Sequence, residues 1–299
     1  MHRQTISMSE GKYPHLNVFS LAIGISPEKL VEAFEIEKTF HNRILAESSA
    51  ERRLKMYEEV YNAVHAIYGK HNIGVDSKQN PKDAIVRLFS KELVNKSVLD
   101  VGCGEGHFLQ SIAKNLPHRQ LVGIDVSRPN LSQTRPEIDF KLGNVISFDL
   151  GAQFDVVFSD QVVEHIAPLD LPAHLASVKA ALRPGGVLII MMPNRLFGPS
   201  DVTRILDCTY TNMLPAQGTH LNESTYTDLI PILQENGFTD FKTVCFIPKV
   251  RNLLRNWRYS PRYLQAIEGV PLLLRLLRSV RLRGRAFLKL DITLICTKW

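Results

Sequence analysis

Positions 97–125 of this chain read SVLDVGCGEGHFLQSIAKNLPHRQLVGID. A mostly apolar run at 98–101 is followed at once by glycines at 102, 104 and 106. From His107 onward, apolar residues recur at helical spacing until Pro117, and a second apolar run then leads to Asp125. The pattern predicts a strand, a tight glycine loop, a helix and a second strand. Such a loop lets a ligand approach backbone N–H groups near the start of the helix.

Two carboxylates flank this glycine loop and narrow the choice of ligand. His107 stands where the third glycine of a dinucleotide fingerprint would be, so the spacing is G-x-G-x-G. Asp100 lies two residues before the first glycine, where its charge would repel a pyrophosphate and suit an ammonium or sulfonium group. Asp125 ends the second strand and can accept hydrogen bonds from two ribose hydroxyls. A nucleoside with a cationic tail, such as S-adenosylmethionine (SAM), suits both acids. The alternative is a glycine-rich turn with a capping aspartate.

In combination these residues resemble the class I SAM-dependent methyltransferases. The stretch 100–106 is similar to the first motif of that family, and the stretch 123–127 to its acidic second motif. The resemblance extends from about Val98 to Lys298. It implies an α/β, Rossmann-like domain with a seven-stranded, mostly parallel sheet whose last strand is antiparallel. It also implies SAM as the cofactor, bound by Asp100, Gly102, Gly104, Gly106, Asp125, Val126 and Asp160.

The remaining strands follow from apolar runs and turn residues. Asn222 would cap a helix over 224–236, and the irregular stretch 195–222 before it should border the substrate cavity, because long structureless loops in compact domains are usually functional. The further strands are expected at 138–142, at 154–159, at 187–192 after a sharp turn at 183–186, at 241–247 and at 292–297.

The resemblance also assigns the adenine contacts. These lie after the third strand in the family, where this chain has Asn144 and Val145. Asn144 would take the exocyclic amine and the Val145 N–H a ring nitrogen. Many relatives have Asp at the first position, and Asn, with both a donor and an acceptor, is chemically tolerable there. The alternative is that Gly-Asn is only a turn.

Residues 159–166 follow the fourth strand at its carboxyl end, where ligands bind in open parallel sheets. They read SDQVVEHI and resemble the stretch beside the methyl group in small-molecule methyltransferases, not the Asp/Asn-Pro-Pro-aromatic sequence of enzymes that methylate nucleobase amines. Histidine suits a general base for a hydroxyl acceptor, so His165 is the first catalytic candidate and His220 the second. Glu164 would orient a histidine or cap a helix. For each histidine the alternative is a structural role.

Composition bounds the class of protein. The four cysteines (Cys103, Cys208, Cys245 and Cys296) show no paired spacing, which predicts neither disulfides nor a zinc site and favours a reducing, cytoplasmic location. No Asp/His/Glu cluster has convincing metal-ligand spacing, so no metal is expected. No apolar run has transmembrane length, and the N-terminus lacks the apolar core of a signal peptide.

Residues 1–80 are expected to form a helical extension before the main domain, 81–299, with a linker at 71–80. Helices are predicted at about 27–46 and 49–68 from capping residues and helical periodicity. The extension either covers the sheet or mediates dimerisation, or it forms a lid over the cofactor. In a lid, the side chains placed to meet the cofactor carboxylate are Arg52, Arg53, Tyr57 and Tyr61.

The basic charge of the chain is concentrated in one segment. Most relatives join the last two strands by a short turn, whereas here the insertion 248–290 intervenes, with eleven basic residues and one acidic residue. A cationic amphipathic helix is expected over about 272–285, with Leu272, Leu273, Leu276 and Leu277 on its apolar face and Leu274 as the exception. It would pack on the domain, contact a membrane surface or anionic lipid-linked substrate, or bind nucleic acid.

The sequence as a whole predicts a SAM-dependent methyltransferase that acts on a small-molecule or glycan-type acceptor, with a hydroxyl preferred. A lipid-linked acceptor and peripheral membrane contact fit the basic insertion. The alternatives are an RNA methyltransferase that uses the insertion and a non-catalytic SAM-binding subunit.

Overall fold

The structure is a computed structural model that describes residues 11–68, 80–126, 135–209, 213–282, 285–286 and 288–299. The strands of this part of the chain are β1 (Ser97–Val101), β2 (Gln120–Asp125), β3 (Ile138–Leu142), β4 (Phe154–Asp160), β5 (Leu182–Met192), β6 (Phe238–Lys242), β7 (Arg281–Leu282), β8 (Arg285–Ala286) and β9 (Ile292–Lys298). Strands β7 and β8 pair only with each other.

The other strands form one seven-stranded sheet in the order β3-β2-β1-β4-β5-β9-β6. The pairs from β3 to β5 are parallel, and β9 is antiparallel to both of its neighbours, so six strands share one direction. This confirms the predicted Rossmann-like class I methyltransferase fold, including the antiparallel last strand.

Helices cover both faces of the sheet and extend before it. They are α1 (Leu16–Ile23), α2 (Pro27–Ala46), α3 (Ala50–Tyr68), α4 (Asp83–Leu88), α5 (Ser90–Leu93), α6 (His107–Asn115), α7 (Leu171–Ala181), α8 (Tyr226–Glu235), α9 (Pro248–Leu253), α10 (Arg262–Glu268) and α11 (Pro271–Ser279). Among the residues described, no helix combines the length and the apolar character needed to cross a bilayer.

Strand β1 is buried along its whole length, as a central strand of a parallel sheet should be. Its Leu99 and Val101 side chains join one hydrophobic cluster, and Val98 joins another. Because alternate side chains of a strand point to opposite faces, β1 packs against apolar residues on both sides of the sheet. The carboxyl end of β1, and the glycine loop that follows, is thereby fixed at the ligand-binding edge.

The predicted helices of the N-terminal extension are present as α2 and α3. Ile44, Tyr57 and Val60 from these helices belong to the same apolar cluster as β1. Apart from Asn80, the expected linker at 71–80 lies outside the described residues. The division into an extension and a main domain stays a prediction.

Three expected elements were misplaced around the end of the sheet. Helix α8 is capped by Thr225, not Asn222, because Thr225 and Asp228 exchange capping-box hydrogen bonds of 3.0 and 3.1 Å. Strand β6 begins immediately after Gly237, whose φ of +84° turns the chain. The turn expected at 183–186 lies inside β5, where the pairing with β4 is irregular.

The basic insertion folds into α9, α10 and α11, and its amphipathic helix is shorter than expected. Leu274 and Leu277 are buried, whereas Leu272 and Leu276 are 76% and 59% exposed. The predicted apolar face was therefore right for Leu273 and Leu277, which pack on the domain, and wrong for Leu272 and Leu276, because the packed side also contains Leu274. Arg278 belongs to the packed side, and its Nε donates to the Leu196 carbonyl at 2.7 Å.

Candidate functional site

The loop after β1 is built on left-handed backbone. The φ angles of its three glycines are +73°, +50° and +72° at Gly102, Gly104 and Gly106, a region that side chains of L-residues disfavour. The N–H of Gly104 donates to Asp125 Oδ2 at 2.9 Å. The two sequence motifs therefore meet directly, and Asp125 lies at the loop as predicted.

The same loop is tightly packed at its ends and open in the middle. A Cβ at position 102 would collide with Val162, and one at 106 would lie 2.5 Å from the Phe140 ring. A Cβ at Gly104 would meet nothing within 4 Å. The space beside the Gly104 backbone is therefore open to a ligand, and we call this space the cradle.

Three aspartates lie around this cradle. Asp100 is only 4% exposed, and its pKa is well above the usual range because it is buried and because Asp160 and Asp125 are close. Lys82 partly offsets this crowding, since its Nζ lies 2.6 Å from Asp160 Oδ2. A site with more acids than bases favours a ligand that carries positive charge. The ammonium and sulfonium groups of SAM would meet this demand, and the Asp125 carboxylate could accept from its ribose hydroxyls, so the residues fit SAM.

The two residues predicted to contact adenine, Asn144 and Val145, already form hydrogen bonds within the chain. Asn144 Oδ1 already accepts from the Ile146 N–H at 2.7 Å, which is the local turn that the sequence offered as an alternative. The Val145 carbonyl accepts from His174 Nδ1 at 2.7 Å. Val126 is about half-exposed beyond Asp125. The adenine role of Asn144 and Val145 stays a prediction.

The two catalytic candidates, far apart in sequence, lie side by side. The His165 and His220 rings are 4.6 Å apart between centroids and nearly perpendicular. His165 Nδ1 lies 3.1 Å from the Thr219 carbonyl, and His220 Nδ1 lies 2.6 Å from Glu223 Oε1. In the described part of the chain neither Nε2 atom has a hydrogen-bond partner. Nε2 is therefore the unengaged nitrogen of each ring among the described contacts.

Glu164 lies next to the two histidines and completes a cluster of three side chains. Its carboxylate is fully buried, and both oxygens lack a hydrogen-bond partner among the described residues. Its backbone carbonyl accepts from the N–H groups of Leu221 and Asn222 at 2.7 and 2.9 Å. The irregular segment 195–222 thus returns to the end of β4, which brings His220 to His165.

Burial shifts the titration of each group in this cluster. Burial lowers the pKa of His165 to about 3, with His220 adding to the effect, so His165 is neutral. Burial also opposes charge on His220, but hydrogen bonding to Glu223 and the nearby acids raise its pKa overall. Burial raises the pKa of Glu164 to about 8.

A small cavity of about 10 Å³, room for about one water molecule, lies beside His165, between helices α2 and α3 and the segment 218–221. Glu37 lines it, and its Oε2 accepts from the Thr219 N–H at 2.9 Å. Burial, with Asp201 nearby, raises the pKa of Glu37 to about 7. Sequence reasoning missed Glu37, because nothing marks one acid on a helical surface as buried. It also missed Glu223, although the spacing of three from His220 was visible.

The contacts proposed for the lid are largely contradicted. Arg53 is bound through two nitrogens to Asp170, at 2.5 and 2.8 Å, and the Tyr57 hydroxyl lies 3.0 Å from the same carboxylate. Arg52 pairs with Glu47. Arg53 and Tyr57 therefore anchor helix α3 to Asp170, and the charge of Arg52 is paired at the surface, so none of the three is placed as predicted for a cofactor carboxylate. Tyr57 and Tyr61 both line the cavity, and the Tyr61 ring lies 6.2 Å from that of His165.

Comparison with known proteins agrees with this geometry. A family model described as a methyltransferase domain matches residues 75–243. The chain belongs to this family, the SAM-dependent methyltransferases. Its cofactor is SAM.

Individual relatives are distant. The methyltransferase is 29% identical over 161 residues to a probable S-adenosylmethionine-dependent methyltransferase of Mycolicibacterium smegmatis, covering 52% of this chain and 57% of that one. It is 28% identical over 211 residues to a ubiquinone biosynthesis O-methyltransferase of Rhodopseudomonas palustris, covering 64% and 80%. A trans-aconitate 2-methyltransferase of the same species is 33% identical over 110 residues, covering 36% and 42%.

Among solved structures, the methyltransferase is similar to the 1,6-didemethyltoxoflavin-N1-methyltransferase of Burkholderia thailandensis. The TM-score is 0.51 at 16% identity, covering 84% of this chain and 91% of that one. At this identity the likeness shows the fold alone.

Proposed function

We propose that this methyltransferase transfers the methyl group of SAM to a hydroxyl of a small molecule or glycan-type acceptor. The observation that carries the proposal is the adjacent pair His165 and His220, whose Nδ1 atoms are both engaged and of which His165 lines the cavity. A hydroxyl must lose its proton during methylation, and these nitrogens are placed to draw that proton away.

The cofactor would be held by the cradle described above. Asp125 would accept from the ribose hydroxyls, and Asp100 with Asp160 would balance the positive charge. The backbone at Gly104 leaves room for the ligand. Bound SAM supplies a methyl group activated by its positively charged sulfur, and the protein supplies proximity and orientation.

The acceptor would occupy the cavity under helices α2 and α3. Tyr61 and Phe40 give it apolar walls, and Glu37 and His165 give it polar ones. As it stands the cavity holds about one water molecule, so helices α2 and α3 would move apart as the acceptor enters. The relatives named for ubiquinone biosynthesis and trans-aconitate act on small molecules by name, which supports an acceptor of that class.

The nucleic-acid alternative gains no support from the insertion. Trp257 and Tyr259 stack on each other at 5.0 Å, and Arg258 is bound to Glu92 at 2.7 Å. Side chains already paired within the chain are poorly placed to stack on bases.

The test is product identification. The purified protein is incubated with SAM labelled in the methyl group and a cell extract, and the labelled product is identified by mass. We expect the label on a hydroxyl of a small molecule or glycan, and His220→Asn should lower turnover by about 10²–10⁴-fold while SAM binding persists. His118→Asn, which alters a histidine outside the site, serves as the control. Label confined to RNA, or equal turnover in both variants, would refute the proposal.

A further inference from the structure

Glu164, His165 and His220 bring three potential metal ligands together. A carboxylate oxygen of Glu164 and a ring nitrogen of each histidine all lie within 4.8 Å of one another. We propose that these three side chains bind a divalent transition-metal cation. The sequence pointed away from a metal because His220 is distant in the chain, and only the fold reveals the grouping.

The carboxylate of Glu164 is the strongest reason. It is fully buried, and among the described residues neither oxygen has a hydrogen-bond partner. A buried carboxylate without a partner costs several kcal/mol by general estimates, about as much as breaking a buried ion pair. A bound cation removes that cost, and Glu164 is placed to be its ligand.

The hydrogen bonds of the two histidines are those expected of metal ligands. Metal-binding histidines nearly always donate their second ring N–H to a carbonyl or carboxylate, which fixes the ring and its tautomer. Here Thr219 supplies a carbonyl for His165 Nδ1 at 3.1 Å, and Glu223 supplies a carboxylate for His220 Nδ1 at 2.6 Å. Both Nε2 lone pairs are left to a metal, and a bound cation would then take over from the free imidazoles in promoting loss of the acceptor proton.

The surroundings are also acidic. Glu37 and Asp201 are 3% and 9% exposed, and they accept from the N–H groups of Thr219 and Gly218 at 2.9 and 2.8 Å. Positive charge is therefore favoured at the centre of this group, beyond what the ligands contribute.

The donor set indicates the kind of cation. Two imidazoles and one carboxylate suit zinc, iron(II), cobalt(II) or manganese(II), whereas magnesium and calcium prefer oxygen ligands. Bonds of about 2.0–2.2 Å need the ligand atoms closer than 4.8 Å, a contraction of about an ångström that side-chain rotation supplies. Since His165 lines the cavity, an open coordination position would face it. That last step rests on the proposed function, because it places the acceptor hydroxyl next to the cation.

The test measures metal binding itself. The full chain without a purification tag is stripped with EDTA and titrated with Co²⁺ and Zn²⁺, followed by cobalt absorption and calorimetry. We expect one equivalent bound, with affinity about 100-fold lower in Glu164→Gln and in His220→Asn. Glu223→Gln, which alters only the support of a ligand, should lower affinity by about 10–100-fold.

His118→Asn is the matched control, since His118 Nδ1 also lies near a backbone carbonyl, that of Leu116 at 3.0 Å. Urea unfolding and SAM titration of each variant establish that it is folded. No stoichiometric binding by the wild type, or wild-type affinity in both Glu164→Gln and His220→Asn, would overturn the metal site. Metal binding without methyl transfer would overturn the proposed function alone, and methyl transfer without stoichiometric metal binding would overturn the metal site alone.

Discussion

Arg53 and Asp170 form a buried ion pair in which two guanidinium nitrogens lie 2.5 and 2.8 Å from the two carboxylate oxygens. Both side chains are almost inaccessible, at 3% and 4% exposure. The Tyr57 hydroxyl binds the same carboxylate and accepts from the Ala167 N–H. Helix α3 is thereby attached to the segment that follows His165. Since both α3 and His165 line the cavity, their relative position is fixed.

We expect Arg53→Met to lower the free energy of unfolding by about 3–5 kcal/mol, because it leaves Asp170 buried without its partner. The double variant Arg53→Met with Asp170→Leu should recover much of the loss, since no charge then remains buried. Urea unfolding measures both. Arg52→Met, which alters an exposed pair with Glu47, should change little. A similar small effect for Arg53→Met would contradict the anchoring role.

The affinity for SAM should rise with pH. The raised pKa of Asp100 means that this group holds a proton above its ordinary range in the free protein, and a cationic ligand beside it lowers that pKa. Binding then releases a proton, so affinity increases as pH rises towards the pKa of the free protein and levels off beyond it. Calorimetry in buffers of different ionisation enthalpy measures the proton. Asp100→Asn should remove the proton release, and its persistence in that variant would assign the effect elsewhere.

The raised pKa of Asp100 also makes the stability of the ligand-free protein depend on pH. A carboxyl whose pKa is higher in the folded state than in the unfolded state binds more protons when folded. The Asp100 contribution to stability is therefore present at low pH and is lost as pH rises through its folded pKa. Asp100→Asn should flatten that part of the stability–pH curve, measured by urea unfolding. An unchanged slope would show that another group titrates.

Gly104→Ala should weaken SAM binding by at least about tenfold with little effect beyond backbone strain on stability. The new Cβ would enter the open cradle, and the left-handed backbone costs about 1–2 kcal/mol. Gly151 is a matched control, because its φ of +59° and its open surroundings are alike. Gly151→Ala should show the same loss of stability and normal SAM binding. Equal SAM binding in the two variants would mean that the cradle is not the cofactor site.

The local elements of the fold could be predicted from the sequence, and the assembled site only in part. Strand β1, the glycine loop and helix α6 are set by short-range periodicity and by backbone that requires glycine, so they lie where the pattern placed them. The meeting of His165 with His220 depends on how the segment 195–222 returns to β4. Glu37 enters the site from helix α2, and no nearby residue signals that it is buried.

The insertion shows a second limit. Alternation of leucine and arginine predicts an amphipathic helix, yet it does not say which leucines meet the domain. Which leucines are buried depends on where α11 begins, at Pro271, and on the contact between Arg278 and Leu196. Packing through Leu274 and Leu277 leaves Leu272 and Leu276 exposed, with Arg275 between them in sequence.

This outer side of α11 provides the test of the predicted membrane contact. We expect the protein to sediment with vesicles that contain anionic lipid. The double variant Arg262→Glu on α10 and Arg275→Glu on α11 should bind about tenfold or more weakly, because each basic residue near such a surface contributes about 1 kcal/mol. Lys114→Glu reverses an exposed charge on α6 and should have no effect. No sedimentation of the wild type, or an equal loss of vesicle binding in Lys114→Glu, would contradict the predicted membrane contact.

The most direct measurement is calorimetric titration of the full chain with SAM, compared between Asp125→Ala and Asp139→Ala. Asp125 accepts from the Gly104 N–H and ends β2, whereas Asp139 is a surface acid on the adjacent strand paired with Lys141. The account predicts one SAM bound per chain, an affinity at least about tenfold weaker in Asp125→Ala, and no change in Asp139→Ala. Absence of binding by the wild type, or an unchanged affinity in Asp125→Ala, would contradict it.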